Sequence, residues 1–242
     1  MVEMLIEKPT GFFEADYLKR LRELFDPNYT DRKLWNYFQK NNPTSMVGST
    51  TTANTRFQHI TFEHTLVDLV SELTRIGVDP RKIKTLEMGS GNGYVLAAFA
   101  LHNCPIYGIE LTPELIEDAK KRFQVLPIHR DPEIKQGSYY DAAMRSIPFE
   151  DGTRFSDIDI FYCNAYSYDG FDMIKRMLTE VLAVPNGARV GALVYIPAWW
   201  NPKDTVLQTI GFEAVLPSND HLATHLLKKV KFVDLEQRVK VA

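Results

Sequence analysis

The clearest indication of this chain's architecture is the segment Thr85-Leu86-Glu87-Met88-Gly89-Ser90-Gly91-Asn92-Gly93-Tyr94. Its apolar first part predicts a buried strand ending near Glu87, and the residues from Tyr94 onward predict a helix. The three glycines between them let the backbone approach a ligand closely, because a side chain there would obstruct it. The N-terminus of the helix also presents unpaired N–H groups and a positive dipole end. The stretch therefore predicts a cofactor site.

The spacing of the glycines distinguishes between cofactors. A dinucleotide fingerprint, G-x-G-x-x-G, would need a glycine at position 94, where this chain has Tyr94. The chain instead reads E-x-G-x-G-x-G from Glu87 to Gly93. A second predicted strand, Ile106–Glu110, ends in a carboxylate 17 residues after Gly93, at a position suited to bind ribose hydroxyls. That carboxylate indicates a ribose but is compatible with either cofactor, so the cofactor is predicted from the glycine spacing.

The pattern E-x-G-x-G-x-G resembles motif I of the class I S-adenosylmethionine (SAM) methyltransferases. The resemblance covers residues 56 to about 232. It implies an α/β fold, a doubly wound, seven-strand, mostly parallel sheet with helices on both faces and the last strand antiparallel. SAM is the implied cofactor, with Glu87 near the methionine ammonium and Glu110 on the ribose. Ser138 stands where the superfamily commonly has an acid before the adenine. The other implied cofactor contacts are Gly89, Ser90, Gly91, Gly93, Leu111, Ser138, Tyr139 and Asn164.

The remaining elements are predicted from hydrophobic periodicity and turn residues. Thr112 is expected to cap a helix that runs to about Phe123. The fourth strand is expected over Ile158–Tyr162 and the fifth over Arg189–Ile196. Strands and helices alternate along the chain, which favours a parallel sheet.

The chain divides into an extension and a domain. Residues 1–55 are predicted to form an N-terminal helical extension with a polar linker or lid, and residues 56–242 the SAM-binding methyltransferase domain. From Asn41 to Thr55 the chain is almost entirely polar and cannot bury itself, so it predicts a connector or a lid. Thr61 is expected to cap the next helix.

Composition excludes several classes of protein. The chain has 242 residues, of which 45% are hydrophobic, enough for a core and too many for a disordered chain. Its net charge of −3 argues against nucleic-acid binding through bulk charge. No apolar run is long enough for a membrane span, and the N-terminus does not resemble a signal peptide. The two cysteines and six histidines show no metal-binding spacing, so no metal is expected. The sequence predicts a soluble cytoplasmic protein with no membrane partner; its oligomeric state is open.

The methyl acceptor is expected at the ends of strands four and five. Enzymes that methylate base amines carry Asp/Asn-Pro-Pro-Tyr/Phe there, and Asn164-Ala165-Tyr166-Ser167 resembles this motif without its prolines. Cytosine-C5 enzymes need a nucleophilic cysteine beside a proline, which Cys163 lacks. Nucleic acid is therefore the less favoured acceptor.

Two protein-methylating families resemble the chain better. Gln58-His59-Ile60-Thr61-Phe62-Glu63-His64 is similar to a segment of the protein isoaspartate O-methyltransferases, although His59 and Glu63 depart from it. The non-SET histone lysine methyltransferases share the glycine spacing, Gly108-Ile109-Glu110 and an Asn-aromatic stretch like Asn164 to Tyr168. Both resemblances imply a protein acceptor, a lysine amine or a carboxylate, with Thr61, Asn164 and Tyr166 as catalytic candidates. A small-molecule or nucleic-acid methyltransferase and a non-catalytic SAM-fold binding protein are the alternatives.

Overall fold

The computed structural model describes residues 14, 17, 18, 21, 66–163, 174–197, 204–215 and 224–232 of the chain. The described part of the first long helix, α1, covers residues 66–75. The strands are β1 Thr85–Met88, β2 Ile106–Glu110, β3 Glu133–Gln136, β4 Ile160–Cys163, β5 Leu193–Pro197, β6 Phe212–Ala214 and β7 Thr224–Lys229. The later helices are α2 Tyr94–Leu101, α3 Pro113–Phe123, α4 Ala142–Ser146, α5 over residues 174–182 and α6 Asp204–Thr209, with 3-10 turns at Pro80–Lys82 and Phe155–Asp157.

The seven strands form one sheet in the order β3-β2-β1-β4-β5-β7-β6. Strands β1 to β5 run parallel to one another, and Glu87 of β1 lies between Gly108 of β2 and Tyr162 of β4. Strand β7 runs antiparallel to both β5 and β6. The predicted doubly wound, mostly parallel sheet with an antiparallel last strand is therefore confirmed. Because the strand order reverses between β1 and β4, a ligand crevice is expected at their carboxyl ends.

The sheet separates two apolar layers, since successive residues of a strand point to opposite faces. In β4, Ile160 and Tyr162 face the first layer, whereas Phe161 and Cys163 face the second. Helices α1, α2 and α3 contribute buried residues to the first layer, and α4, α5 and α6 to the second. The helices cover both faces, as the sequence predicts.

The described part of the N-terminal extension belongs to the first layer. Tyr17, Leu18 and Leu21 are helical and buried there. The hydroxyl of Tyr94, the first residue of α2, donates to the backbone carbonyl of Leu18 at 3.0 Å. The extension therefore contacts the helix that follows the glycine loop, while the domain boundary at residue 55 stays a prediction.

The fourth strand begins later than predicted. The sequence places it over Ile158–Tyr162, but β4 starts at Ile160. The preceding residues form a 3-10 turn, Phe155–Asp157, which Ile158 closes by donating its N–H to the carbonyl of Phe155. The turn therefore uses the N–H of Ile158, which a strand beginning at this residue would need for the sheet.

The fifth strand is also shorter than predicted. It begins at Leu193 instead of Arg189. The N–H of Ala192 donates to the carbonyl of Arg189, and Gly191 has a φ of +92°, so these residues form a turn.

Two local details of the helices also differ from expectation. The side chain of Thr112 makes no cap hydrogen bond to α3; the N–H of Thr112 instead donates to the carboxylate of Glu110. Helix α4 was not predicted, and its N-cap is Asp141, whose carboxylate accepts from the N–H of Ala143 at 2.8 Å. Part of α5, Met177–Leu182, is π-helical.

Candidate functional site

The glycine loop between β1 and α2 has the backbone that its sequence predicts. Gly89, Gly91 and Gly93 have φ angles of +83°, +54° and +81°, in the left-handed region that favours glycine. A Cβ atom built on Gly89 or Gly91 would have no atom of the described residues within 4 Å. These two glycines therefore border open space in which a ligand could contact the backbone.

Gly93 has a different reason to be glycine. A Cβ atom at this position would lie 2.8 Å from both Ala119 Cβ and Phe123 Cζ of α3. Real side chains do not approach so closely, so Gly93 allows α2 and α3 to pack against each other. Its predicted contact with the cofactor remains a prediction.

Glu110, the last residue of β2, is bonded to the loop. It is 7% exposed, and its two carboxylate oxygens accept from the N–H of Gly91 at 2.8 Å and of Thr112 at 3.0 Å. The N–H groups of Gly89 and Ser90 donate to the carbonyl of Ile109, which holds the loop at the end of β2. The structure thus brings the ribose candidate to the glycine loop, and its contact with a ribose stays a prediction.

Glu87 lies in β1, one strand away, and is buried. Its Oε2 atom has no hydrogen-bond partner within the described part of the chain. Burial and, to a smaller degree, the charge of Glu110 raise the pKa of the Glu87 carboxyl well above its ordinary value. A buried carboxyl with an unpaired oxygen at a strand end would be stabilised by a ligand that brings a cation or a donor.

Ser90 is buried in the loop between the two carboxylates. Its Oγ atom also finds no hydrogen-bond partner among the residues described. A Cβ atom on Gly108 would lie 2.8 Å from this oxygen and 2.9 Å from a methyl group of Leu96. Gly108, which the sequence analysis did not single out for packing, makes room for the loop.

A second turn follows β3 on the other side of Glu110. The N–H of Gly137 donates to the backbone carbonyl of Glu110 at 2.9 Å. The Ser138 hydroxyl accepts from the N–H of Tyr140 at 3.2 Å, and the Ser138 carbonyl accepts from the N–H of Asp141 at 2.9 Å. The rings of Tyr139 and Tyr140 have their centres 4.8 Å apart. Two predicted adenine contacts, Ser138 and Tyr139, therefore lie next to the predicted ribose residue.

Leu111 is another predicted cofactor residue whose environment fits. Its side chain is 54% exposed although it directly follows the buried Glu110. An exposed apolar side chain at the carboxyl end of β2 offers a surface on which the flat face of a base could pack.

Several predicted site residues lie outside the described part of the chain. These include the three catalytic candidates, Thr61, Asn164 and Tyr166; Asn164 is also a predicted cofactor contact. The lid segment from Asn41 to His64 lies outside it as well. Their roles stay predictions.

Cys163 is not placed to act as a nucleophile. It is buried at the end of β4, and its thiol lies 3.5 Å from the sulfur of Met88. Burial raises the pKa of this thiol well above its ordinary value, so the reactive thiolate is disfavoured. This environment opposes cytosine-C5 chemistry.

Within the described ranges, no group of three or more histidine, cysteine, aspartate or glutamate side chains is arranged to hold a metal ion. In the same ranges, every helix is too short or too polar to cross a membrane.

One residue of the site was missed by the sequence analysis. Arg145 of α4 is buried, and its Nη1 donates to the carbonyl of Tyr139 in the second turn. Nothing in the local sequence distinguishes it from a surface arginine, because helix α4 has only five residues and no clear periodicity.

Comparisons with known proteins agree with this geometry. Residues 86–187 match the family model described as "Methyltransferase domain". The chain is 32% identical over 108 residues to a protein-L-isoaspartate O-methyltransferase of Dictyoglomus thermophilum, covering 44% of each chain. It is 31% identical over 85 residues to the enzyme of the same name from Gloeobacter violaceus, covering 35% of this chain and 40% of that one. The chain thus spans less than half the length of these curated relatives.

A comparison of folds gives the same architecture. The crystal structure of magnesium protoporphyrin IX methyltransferase from Synechocystis PCC 6803 with bound SAM superposes with a TM-score of 0.50 at 12% identity. The match covers 85% of this chain and 99% of that chain. At this identity the likeness shows the shared fold.

Proposed function

We propose that this protein transfers the methyl group of SAM to a protein side chain. Residues 86–187 form a class I S-adenosylmethionine-dependent methyltransferase domain. One observation carries the cofactor part of the proposal. Two buried carboxylates, Glu87 and Glu110, flank a loop in which Gly89 and Gly91 border open space. This arrangement fits a ligand that has a cationic end and a ribose.

The residues fit SAM in a definite order along the crevice. Glu87, with its unpaired buried oxygen, would hold the methionine ammonium, and Gly89 and Gly91 would contact the cofactor through their backbone. Glu110 would accept hydrogen bonds from the ribose hydroxyls. Ser138 and Tyr139, with Leu111 and Ser90, would surround the adenosine part.

The cofactor supplies an electrophilic methyl group on a sulfonium centre, so the protein has mainly to position the acceptor and exclude water. A lysine acceptor must lose a proton before transfer, whereas a carboxylate needs no base. Thr61, Asn164 and Tyr166 are our candidates for contacting the acceptor.

A protein acceptor is supported by the relatives. The curated matches are named protein-L-isoaspartate O-methyltransferases, whose name specifies a protein carboxylate as acceptor. The segment that includes Thr61 resembles the same family in sequence. A non-catalytic binding protein is less favoured, because the carboxylates and the glycine loop that we propose to hold SAM are all present.

A methyl-transfer assay tests the proposal. The purified protein is incubated with tritium-labelled SAM and a cell lysate, and the product is divided between protease and nuclease treatment. We expect label that sediments with protein and is released by protease only. Methyl esters of carboxylates lose their label as methanol at alkaline pH, whereas methylated lysines retain it, so this step separates the two acceptors.

The Gly91→Val protein is the matched control, since it retains every titratable group of the site. Label that resists protease but is released by nuclease, or that stays in the small-molecule fraction, would contradict the protein acceptor. Absence of any transfer by a protein that binds SAM would favour the non-catalytic alternative.

A further inference from the structure

Arg145 is a cation inside the second apolar layer. It lies in α4, is 7% exposed, and its guanidinium carbon is 5.9 Å from the centre of the Phe155 ring. Burial lowers the pKa of this guanidinium, although an arginine side chain stays charged in proteins. A buried charge costs free energy unless hydrogen bonds compensate it. The charge of Asp141 favours the cation to a smaller degree than burial disfavours it, so the hydrogen bonds of Arg145 have to compensate the rest.

The hydrogen bonds of Arg145 indicate what the charge does. Its Nη1 donates to the backbone carbonyl of Tyr139. Its Nε is buried and finds no hydrogen-bond partner in the described parts of the chain. The bond to Tyr139 is charge-assisted and lies in a surrounding of low polarity, so it is stronger than an ordinary bond to a carbonyl. Arg145 thus fixes the position of one peptide group after β3.

That peptide group belongs to a turn whose other bonds are neutral. The Ser138 hydroxyl accepts from the N–H of Tyr140 at 3.2 Å, and Asp141 donates its N–H to the Ser138 carbonyl at 2.9 Å. The N–H of Gly137 donates to the carbonyl of Glu110 at 2.9 Å, which joins the turn to the ribose candidate. The charged bond from Arg145 holds the middle of this turn.

The aromatic side of the turn is held separately. The Tyr139 ring contacts the Tyr140 ring, and the guanidinium of Arg176 lies 5.1 Å from the centre of the Tyr140 ring. Arg176 is itself paired with Glu180 at 3.0 Å. The pair of tyrosine rings is thus contacted, at Tyr140, by the exposed Arg176. The backbone of the turn is held from within the apolar layer by Arg145.

We propose that Arg145 is a positioning residue for the adenine of the cofactor, acting through the Tyr139 carbonyl on the turn that carries Ser138 and Tyr139. This inference rests on the proposed function, because it requires that a SAM-derived adenine lies at this turn. The Ser138 hydroxyl already accepts from the N–H of Tyr140, so it has its own O–H left to donate. A small displacement of the turn would move this donor and the Tyr139 ring together.

Binding of S-adenosylhomocysteine, the demethylated product, tests the inference by calorimetry. Arg145→Met removes the charge but keeps a side chain that suits the apolar layer. We expect this variant to bind the product at least about tenfold more weakly, because the turn would no longer be held in the conformation that binds the base. Arg145→Lys retains a cation and should recover part of the affinity.

The matched control is Arg122→Met. Arg122 of α3 is paired with Asp118 at 2.8 Å, away from the turn, and its replacement should change the affinity by less than about threefold. Thermal unfolding of each variant without ligand shows whether it is folded.

A second ligand separates positioning from a general structural effect. S-inosylhomocysteine carries hypoxanthine, whose ring edge exchanges donor and acceptor relative to adenine. If Arg145 positions the groups that contact the base, Arg145→Met should reduce the preference for the adenine ligand. If both ligands weaken by the same factor, the role of Arg145 is structural and the inference is wrong.

The remaining outcomes are equally decisive. An Arg145→Met protein that binds the adenine ligand as tightly as the parent overturns the inference and leaves the proposed function intact. A parent protein that binds neither ligand overturns both. If Arg145→Met does not fold, the preference measured with Arg145→Lys decides: an unchanged preference contradicts positioning, and a reduced one supports it.

Discussion

The carboxylate of Glu110 accepts a hydrogen bond of 2.8 Å from the backbone N–H of Gly91, which lies 19 residues earlier in the chain. Its other oxygen accepts from the N–H of Thr112. A carboxylate has about four lone-pair sites, so these two bonds leave room for two ribose hydroxyls. Glu110 therefore holds the glycine loop in place and, in our proposal, binds the cofactor with the same group.

Replacement of Glu110 should affect both roles. In Glu110→Ala we expect the affinity for SAM or its demethylated product to fall by about 100-fold or more, since two charge-assisted hydrogen bonds are lost. We also expect the free energy of unfolding without ligand to fall by about 1–3 kcal/mol, because two backbone N–H groups lose their acceptor. Calorimetry and urea unfolding measure the two effects. Glu114→Ala, at an exposed site in the first turn of α3, is the control; unchanged affinity in Glu110→Ala would place the ribose elsewhere.

Gly91 and Gly93 should respond differently to substitution. Gly91→Val points a side chain into the open space beside the loop, so we expect loss of SAM binding with a modest loss of stability from its positive φ. Gly93→Ala drives a methyl group against Ala119 and Phe123, so we expect the free energy of unfolding to fall by about 1–3 kcal/mol. Thermal unfolding and calorimetry on both proteins check the contrast. A folded Gly91→Val protein that retains full SAM binding would show that the loop is only a structural turn.

Cofactor binding should depend on pH through Glu87. Its raised pKa keeps the buried carboxyl protonated at pH values where a free glutamate is ionised, and a ligand ammonium favours the ionised form. Binding should therefore release a proton, and affinity should rise with pH until the pH passes the raised pKa. Calorimetry in buffers of different ionisation enthalpy counts the released protons. Glu87→Gln should bind more weakly and release none from this position; proton release equal to that of the parent would contradict the assignment.

Glu87 should make the stability of the ligand-free protein fall with rising pH, whereas it makes the affinity for SAM rise. A carboxyl whose folded pKa is raised binds more protons in the folded than in the unfolded protein, so its contribution to stability is lost as pH rises through the raised pKa. Glu87→Gln should therefore make the ligand-free protein more stable at neutral pH while it weakens SAM binding. Urea unfolding at about pH 5 and about pH 8 tests this, since the gain in the free energy of unfolding should be larger at the higher pH.

The segment from Asn41 to His64 is predicted to close over the methionine end of SAM. We expect hydrogen exchange in this segment to slow when SAM or its demethylated product is added. Thr61→Ala should weaken binding by more than the roughly 1 kcal/mol expected for a lost helix cap. If protection appeared only around residues 87–93 and 110, the segment would be a linker, and a main support for a protein acceptor would be lost.

Local sequence patterns predict most of the elements around the glycine loop. The bounds of β2, Ile106–Glu110, and the start of α2 at Tyr94 agree with the prediction, because hydrophobic period and turn glycines are properties of neighbouring residues. The position of Glu110 at the end of a strand also follows from local pattern. The starts of β4 and β5 did not follow, because the turns before them depend on backbone bonds that the pattern does not show.

The contact partners of these residues depend on the tertiary fold. The bond from Gly91 to Glu110 joins residues 19 apart, and the bond from Tyr94 to Leu18 joins residues 76 apart. The different roles of Gly91 and Gly93 cannot be predicted from the glycine spacing, because they depend on the packing of α3 against α2. The buried charge of Arg145 and the unpaired oxygen of Glu87 likewise arise from burial, which depends on the whole sheet and its helices. Local sequence sets the conformation of each element, whereas the partners of a side chain depend on segments that folding brings together from distant parts of the chain.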